Sequence, residues 1–159
     1  MKEIVPGIFT WSWYSEPHGY NFNGHLLRHS DGNICIDPVQ PSDTALDDLM
    51  RLGVAHIVIT NRNHSRATNL VRDRLGALTA IHPEDAAHAR GQGTNIDDNL
   101  RIGERIGPLE VIGVAGKSPG EVALLWCERR ILIVGDAVIG NPPANAVCSP
   151  RRSWTTPSA

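Results

Sequence analysis

The residues best equipped for chemistry lie in three short segments. Asn61-Arg62-Asn63-His64-Ser65-Arg66 follows an apolar run and combines one imidazole and one hydroxyl with amide and guanidinium donors. Gly116-Lys117-Ser118-Pro119-Gly120 presents a lysine in a turn bounded by glycines, and Gly135-Asp136 brings a carboxylate to the end of another apolar run. Metal-assisted hydrolysis needs about four ligands drawn from cysteine, histidine and carboxylate. Asn61 and Asn63 are weak neutral ligands, Arg66 does not ligate at neutral pH, and Lys117 would first have to lose a proton. His64 and Asp136 alone make a poor site, and water without metal charge keeps a high pKa. His64 and Ser65 are chain neighbours, a spacing that seldom pairs base with nucleophile, and no acid is placed to orient the imidazole. Gly116-Lys117-Ser118 lacks the preceding glycine spacing of a phosphate-binding loop. Asp37, Asp97, Asp98 and Asp136 show no spacing that makes a paired acid and base. Anion binding is the remaining chemistry. Asn61, Arg62, Asn63, Arg66 and Lys117 supply donors for a carboxylate or phosphate, with Trp11, Trp13 or Tyr20 as a wall. An asparagine-rich loop that satisfies its own backbone explains the same residues, so both readings stay open.

Bulk properties narrow the partners. The chain has 159 residues, 41% hydrophobic and 20% charged, with a formal net charge of -2. No basic block offers the footprint of a nucleic-acid binder. No apolar run approaches the roughly 20 residues that cross a bilayer, and the first residues lack the apolar stretch of a signal peptide. Neither nucleic acid nor membrane is expected as a partner, and a cytoplasmic location is. Cys35, Cys127 and Cys148 are odd in number and widely spaced, which suits neither a disulfide framework nor a zinc knuckle. Cys35 reads as buried filler in an apolar strand.

The elements that must position these residues follow from periodicity and punctuation. Residues 4–13 predict an opening strand bent at Pro6-Gly7, followed by a polar loop from Ser15 to Gly19 that Trp11, Trp13, Tyr14 and Tyr20 bracket as aromatic walls. Residues 25–28 and 33–37 predict strands joined through Ser30-Asp31-Gly32. Ser42 or Asp43 caps a helix over 44–52, with Gly53 in the left-handed C-terminal position. Residues 54–60 form a strand, 66–75 a helix closed by Gly76, 77–81 a strand, and His82-Pro83-Glu84-Asp85 the start of a short helix. This alternation predicts parallel strands under helical cover. Residues 105–106, 109–114, 121–126 and 130–134 then read as strands without long helices between them.

Three of these segments resemble, in order, the signature of the metallo-beta-lactamase superfamily. Residues 60–84 resemble its strand, threonine and His-x-His-x-Asp-His loop. Gly116-Lys117-Ser118-Pro119-Gly120 resembles its Gly-His-Thr/Ser-Pro-Gly turn, and Arg130 through Gly140 resembles the strand and Gly-Asp turn with the bridging aspartate. The resemblance spans residues 4–143. It implies an α/β chain with a metallo-beta-lactamase-like αββα sandwich over residues 1–143, its second half incomplete, and an irregular tail over 144–159. It also implies the loss of the metal site. Asn61 and Asn63 stand for the first two histidines, Ser65 for the loop aspartate, Arg66 for the next histidine and Lys117 for the histidine of the turn. Asp136 is kept, and no histidine follows His88. The expectation is a non-catalytic member with no cofactor, whose degenerate pocket (Asn61, Arg62, Asn63, His64, Ser65, Arg66, Lys117, Asp136) takes a small anionic ligand or a protein partner. Arg66 and Lys117 are expected to pair with Asp136, because a buried carboxylate needs a partner. An uncovered apolar face or sheet edge in the second half favours a homodimer. The alternative is a metal-dependent thioester or ester hydrolase of the glyoxalase II-like branch, with zinc on an unusual set such as His64, Asp136 and Asp37.

Overall fold

Two β-sheets face one another across an apolar core, with helices outside the first. The computed structural model describes residues 1–140 and 146–148. The first sheet has the order β1-β2-β3-β4-β5-β6-β7, with β1 (Lys2–Val5), β2 (Ile8–Ser15), β3 (Tyr20–Leu27), β4 (Ile34–Ile36), β5 (His56–Ile59), β6 (Leu78–Ile81) and β7 (Asp98–Asn99). β1 to β4 pair antiparallel, and β4 to β7 pair parallel. The second sheet has the antiparallel order β11-β10-β9-β8, from β8 (Arg105–Ile106), β9 (Leu109–Gly113), β10 (Val122–Trp126) and β11 (Ile131–Ile133). β12 (Val138–Gly140) and β13 (Ala146–Cys148) form a separate antiparallel pair. The helices are α1 (Asp43–Leu52), α2 (Thr68–Leu75) and α3 (Pro83–Gly91). The result is an αββα-like sandwich of the α/β class.

Burial explains this layering. The parallel strands are covered on both faces, so they read as unbroken apolar runs such as Ile34-Cys35-Ile36 and Ile57-Val58-Ile59. Ile34, Ile36 and Val58 point into the core between the sheets, against Leu109, Val111 and Leu124. Cys35 and Ile57 point the other way, onto Ala45 and Leu49 of α1 and Val71 of α2. Ala86 and Ala89 of α3 pack on Ile59 and Ile81. Among the described residues the second sheet carries no α-helix. The Ser42 hydroxyl accepts from the Ala45 amide at 3.3 Å and starts α1. His82 caps α3, Pro83 occupies its first turn, and Glu84 and Asp85 add acid where the helix dipole favours it.

Several elements depart from the sequence reading. The single opening strand is a hairpin, because Gly7 (φ 81) reverses the chain after β1. The loop read between the aromatic walls is present, one residue shorter, and the chain on either side of it is strand. β2 runs to Ser15 and β3 starts at Tyr20, so the turn is confined to residues 16–19. Polar residues hid these strands, since this end of the hairpin lies largely in solvent. Gly53 has φ 76 and ψ 153, outside the left-handed helical region, although its amide still closes α1 onto Leu49 O at 2.9 Å. The tail expected over residues 144–159 lies outside the described residues, apart from the strand Ala146–Cys148.

Trp11 ties the antiparallel half to the helical layer. Its ring lies across Gly24, its partner in β3, and its Nε1 donates to Val39 O at 3.0 Å. A methyl group on Gly24 would come within 2.5 Å of that ring. Gly24→Ala is therefore expected to lower stability by ~1–3 kcal/mol in urea unfolding, the range for overpacking a close contact. Gly91→Ala, where no heavy atom lies within 4 Å, should change it by no more than ~0.5 kcal/mol. Equal effects of the two substitutions would show that the Trp11–Gly24 contact is not a constraint.

Candidate functional site

The chemistry-bearing segments meet beyond the carboxyl ends of β4 and β5, where α/β sheets present their loops. Asp37 leaves β4 with φ 48, a left-handed conformation that aspartate tolerates better than most residues. Its Oδ1 accepts the Thr60 amide at 2.8 Å, and its Oδ2 accepts the Thr60 hydroxyl at 2.5 Å. His64 sits between two carboxylates. Its Nδ1 lies 2.8 Å from Asp37 Oδ2, and its Nε2 lies 3.2 Å from Asp136 Oδ2. The Lys117 ammonium reaches the same Asp136 oxygen at 2.5 Å. Asp136 can approach because Gly135 precedes it. Gly135 has φ 54, and a Cβ there would fall 2.7 Å from the Thr60 hydroxyl.

A second carboxylate organises the loops around this row. Asp85 is fully buried. Its Oδ2 accepts the Arg62 amide at 3.0 Å and the Ser118 hydroxyl at 2.5 Å, and its Oδ1 accepts the Gly120 amide at 3.2 Å. One side chain at the start of α3 thus fixes both the 61–65 loop and the lysine-bearing turn. A Cβ on Gly120 would come within 2.8 Å of the Asp85 carboxyl carbon, so the turn needs glycine there. Glu121, also buried, accepts the Lys117 amide at 2.8 Å and lies 3.5 Å from Asn61 Nδ2.

Charge settles the protonation states. Burial pulls the His64 imidazole down, but the Asp37 charge and the hydrogen bonds to Asp136 and Asp37 outweigh it and hold it at about 9. Protonated, His64 donates from both ring nitrogens. Burial pushes the Asp136 carboxyl up, yet the hydrogen bonds and charges of His64 and Lys117 prevail and keep it well below the usual carboxylate range. Burial raises Glu121, with the Lys117 amide acting against it. Burial also lowers Arg66, opposed by the charges of Asp37, Asp136 and Tyr20.

The residues singled out from the sequence fall into different environments. Asn61 is fully buried, against His64 and Glu121. Arg62 contributes its amide to Asp85, while Asn63 is exposed and its amide bonds Asn61 Oδ1 at 3.0 Å. The Ser65 carbonyl accepts the Thr68 amide just ahead of α2. Lys117 and His64 both meet Asp136. Arg66 takes another course from the expected pairing with Asp136. Its guanidinium lies 3.9 Å from the centre of the Phe22 ring and makes no ion pair among the described residues, because cation–π contact with the β2–β3 hairpin competes with the carboxylate. Thr60, Asp85, Ser118 and Glu121 are not legible as site residues in the sequence. Asp37 enters the sequence reading only as one of four acids without paired spacing and as one member of a possible metal set. Its one local signal is an acid at a strand exit before proline.

The fold and these motifs have known relatives. The model of the metallo-beta-lactamase superfamily matches residues 1–149. The chain belongs to that superfamily. Among solved structures it is similar to the protein TTHA1623 in a di-iron-bound form, at 23% identity and a TM-score of 0.65, over 83% of this chain and 72% of that one. A metallo-beta-lactamase family protein from Thermus thermophilus matches at 20% identity and TM-score 0.67, over 94% of this chain and 66% of that one. A metallo-beta-lactamase from Pontibacter korlensis matches at 18% identity and TM-score 0.73, over 89% and 73%. At these identities the likeness shows the fold alone. No curated protein matches the chain.

The superfamily implies a metal centre, and the residues present do not fit one. Among the described residues no group of three or more His, Cys, Asp or Glu side chains is arranged to hold a metal ion. Both nitrogens of His64 face carboxylates, and the Lys117 ammonium occupies Asp136. A metallo-beta-lactamase-type cation would have to displace charges the chain itself supplies.

The His64 linkage has a defined sign. A histidine raised from about 6.5 when unfolded to about 9 when folded stabilises the protein fully below about pH 6.5, and that contribution fades as pH rises to about 9. Stability is expected to fall across this window by ~3 kcal/mol, while a His64→Gln variant shows a flatter profile. Parallel urea-unfolding series at several pH values give the comparison, and identical slopes would remove the charged-histidine assignment. Asp85→Ala strands two amides and a hydroxyl, and is expected to cost ~3 kcal/mol or more in the same assay. A loss under ~1 kcal/mol would show that the loops hold their places without it.

Proposed function

We propose that this chain is a non-catalytic metallo-beta-lactamase-fold protein whose former metal pocket binds a small anionic ligand. The observation that carries this reading is the Lys117 ammonium on Asp136 Oδ2, beside His64 on the same oxygen. Fixed side-chain cations balance the carboxylates of Asp37 and Asp136 without a metal. An ammonium cannot take water as a ligand and lower its pKa, which is the step metal-assisted hydrolysis requires. Arg66 supports the binding part of the reading. It carries charge at the mouth of the cluster and pairs with no carboxylate among the described residues, and its guanidinium rests over the Phe22 ring of the aromatic hairpin. A planar fork of donors suits a carboxylate. Asn63, exposed on the same loop, adds an amide.

The reading extends to a homodimer and to the cytoplasm. β1 lies at a free edge of the first sheet with all four residues exposed, Ile4 and Val5 among them, and exposed apolar edges favour association. Cys35 and Cys127 are free thiols, as a reducing compartment permits. No helix among the described residues is long and apolar enough to cross a membrane.

Metal content by plasma mass spectrometry tests the central statement, on protein as purified and again after zinc or iron addition and desalting. Far less than one equivalent per chain is expected in both. Near-stoichiometric metal would overturn the reading and favour the glyoxalase II-like hydrolase, with thioester and ester assays next. Thermal-shift titration with small carboxylates tests the ligand. A rise in melting temperature in the wild type, lost in Arg66→Gln, is expected, and no shift with any carboxylate would remove the anion-binding part.

A further inference from the structure

A cleft of about 500 Å³ opens beyond the amino end of β4, on the opposite side of the strand from the ion cluster. Three elements wall it: the β1–β2 turn at Gly7, the β3–β4 loop at Arg28 to Ser30, and the end of α1 at Arg51 and Leu52. One backbone and one side-chain hydrogen bond hold the Gly7 turn in place. The Arg28 amide donates to Gly7 O at 2.8 Å, and Arg129 donates to Pro6 O at 2.6 Å.

The charges around the cleft favour an anion. The Arg28 side chain is exposed and pairs with no carboxylate among the described residues. Asp48 is shared by two cations, the Met1 ammonium at 2.6 Å and Arg51 at 2.8 Å, so that group keeps a positive surplus. His29 adds an imidazole, with Asp31 3.8 Å away at the rim. The carboxyl end of α1 would ordinarily repel an anion. Here Asn33 Nδ2 donates to Leu52 O at 2.9 Å and to Gly53 O at 3.0 Å, which offsets part of that repulsion.

We propose that this cleft binds a phosphorylated small molecule, with Arg28 and Arg51 on the phosphoryl oxygens and His29 beside them. Guanidinium forks match phosphoryl oxygens in pairs. The volume exceeds that of one phosphate and falls in the range of small-ligand pockets, so it leaves room for an organic body against Gly7 and Leu52. The proposal is independent of the ion cluster and stands whether or not that site binds a ligand.

Calorimetric titration of the full chain at low ionic strength, with inorganic phosphate and with glycerol 3-phosphate, tests it. Saturable binding of both is expected, tighter for glycerol 3-phosphate. Arg28→Gln should weaken binding ~10-fold or more, with an unchanged urea midpoint, and Arg66→Gln should leave it unchanged. Absence of saturation, wild-type affinity in Arg28→Gln, or loss of binding in Arg66→Gln instead would overturn the assignment. Equal affinity for the two probes would overturn the organic-body part of it.

Discussion

Asp136 Oδ2 receives two cations at once, the Lys117 ammonium and the His64 imidazolium, and the character of the site depends on that convergence. A carboxylate drawn out of water is costly unless its charge is met close by. In a metal enzyme the ion meets it. Here residues of the chain do, and they pair in sequence: Lys117 to Asp136, Asp136 to His64, His64 to Asp37. Each charge has an opposite neighbour, so the row is electrically complete. Loss of His64 would be felt most, because it would leave Asp37 buried with no cation beside it.

The row can exist only because the backbone around it is closely constrained. Asp37 turns back toward Thr60 through a left-handed conformation, and Gly135 lets the Asp136 loop pass against the Thr60 hydroxyl. Asp85 then sets the 61–65 loop and the 116–120 turn relative to each other through two amides and a hydroxyl. Lys117 reaches Asp136 because the turn that carries it is pinned at both Ser118 and Gly120. The precise part of the site is thus mostly backbone, fixed by buried acids that never face a ligand.

That division also explains what the sequence reveals. The layered fold is legible, because burial on both faces writes unbroken apolar runs such as Ile57-Val58-Ile59 and because Ser42, Gly76 and Pro83 punctuate the helices. The loop and turn carrying His64 and Lys117 are legible because their order and spacing resemble a known signature. The start of β3 at residues 20–24 is not, since a strand in solvent need not alternate. Asp85 and Glu121 are not, because they act on amides of distant segments and leave no local pattern. Arg66 departs from its expected partner for a related reason. Its pull toward Asp136 is inferable from charge, but the competing Phe22 ring lies far earlier in the chain and becomes a neighbour only through the pairing of β2, β3 and β4.

The difference between a metal and a lysine then bears on what the fold can do. A divalent ion in such a pocket polarises a carbonyl and binds water in a form that gives up its proton near neutral pH. An ammonium offers three hydrogen-bond donors and a point charge, with no open coordination position. It can hold an oxyanion but cannot generate a nucleophile from water. His64 does not supply the missing base, because it is already protonated between two carboxylates and has no lone pair to offer. Replacing the ion by Lys117 thus preserves the electrostatic balance that keeps the loops folded while removing the group that would activate water. Under the proposed reading, anion recognition at Arg66 asks less of the site than hydrolysis does, since it needs fixed positive charge and no activated water.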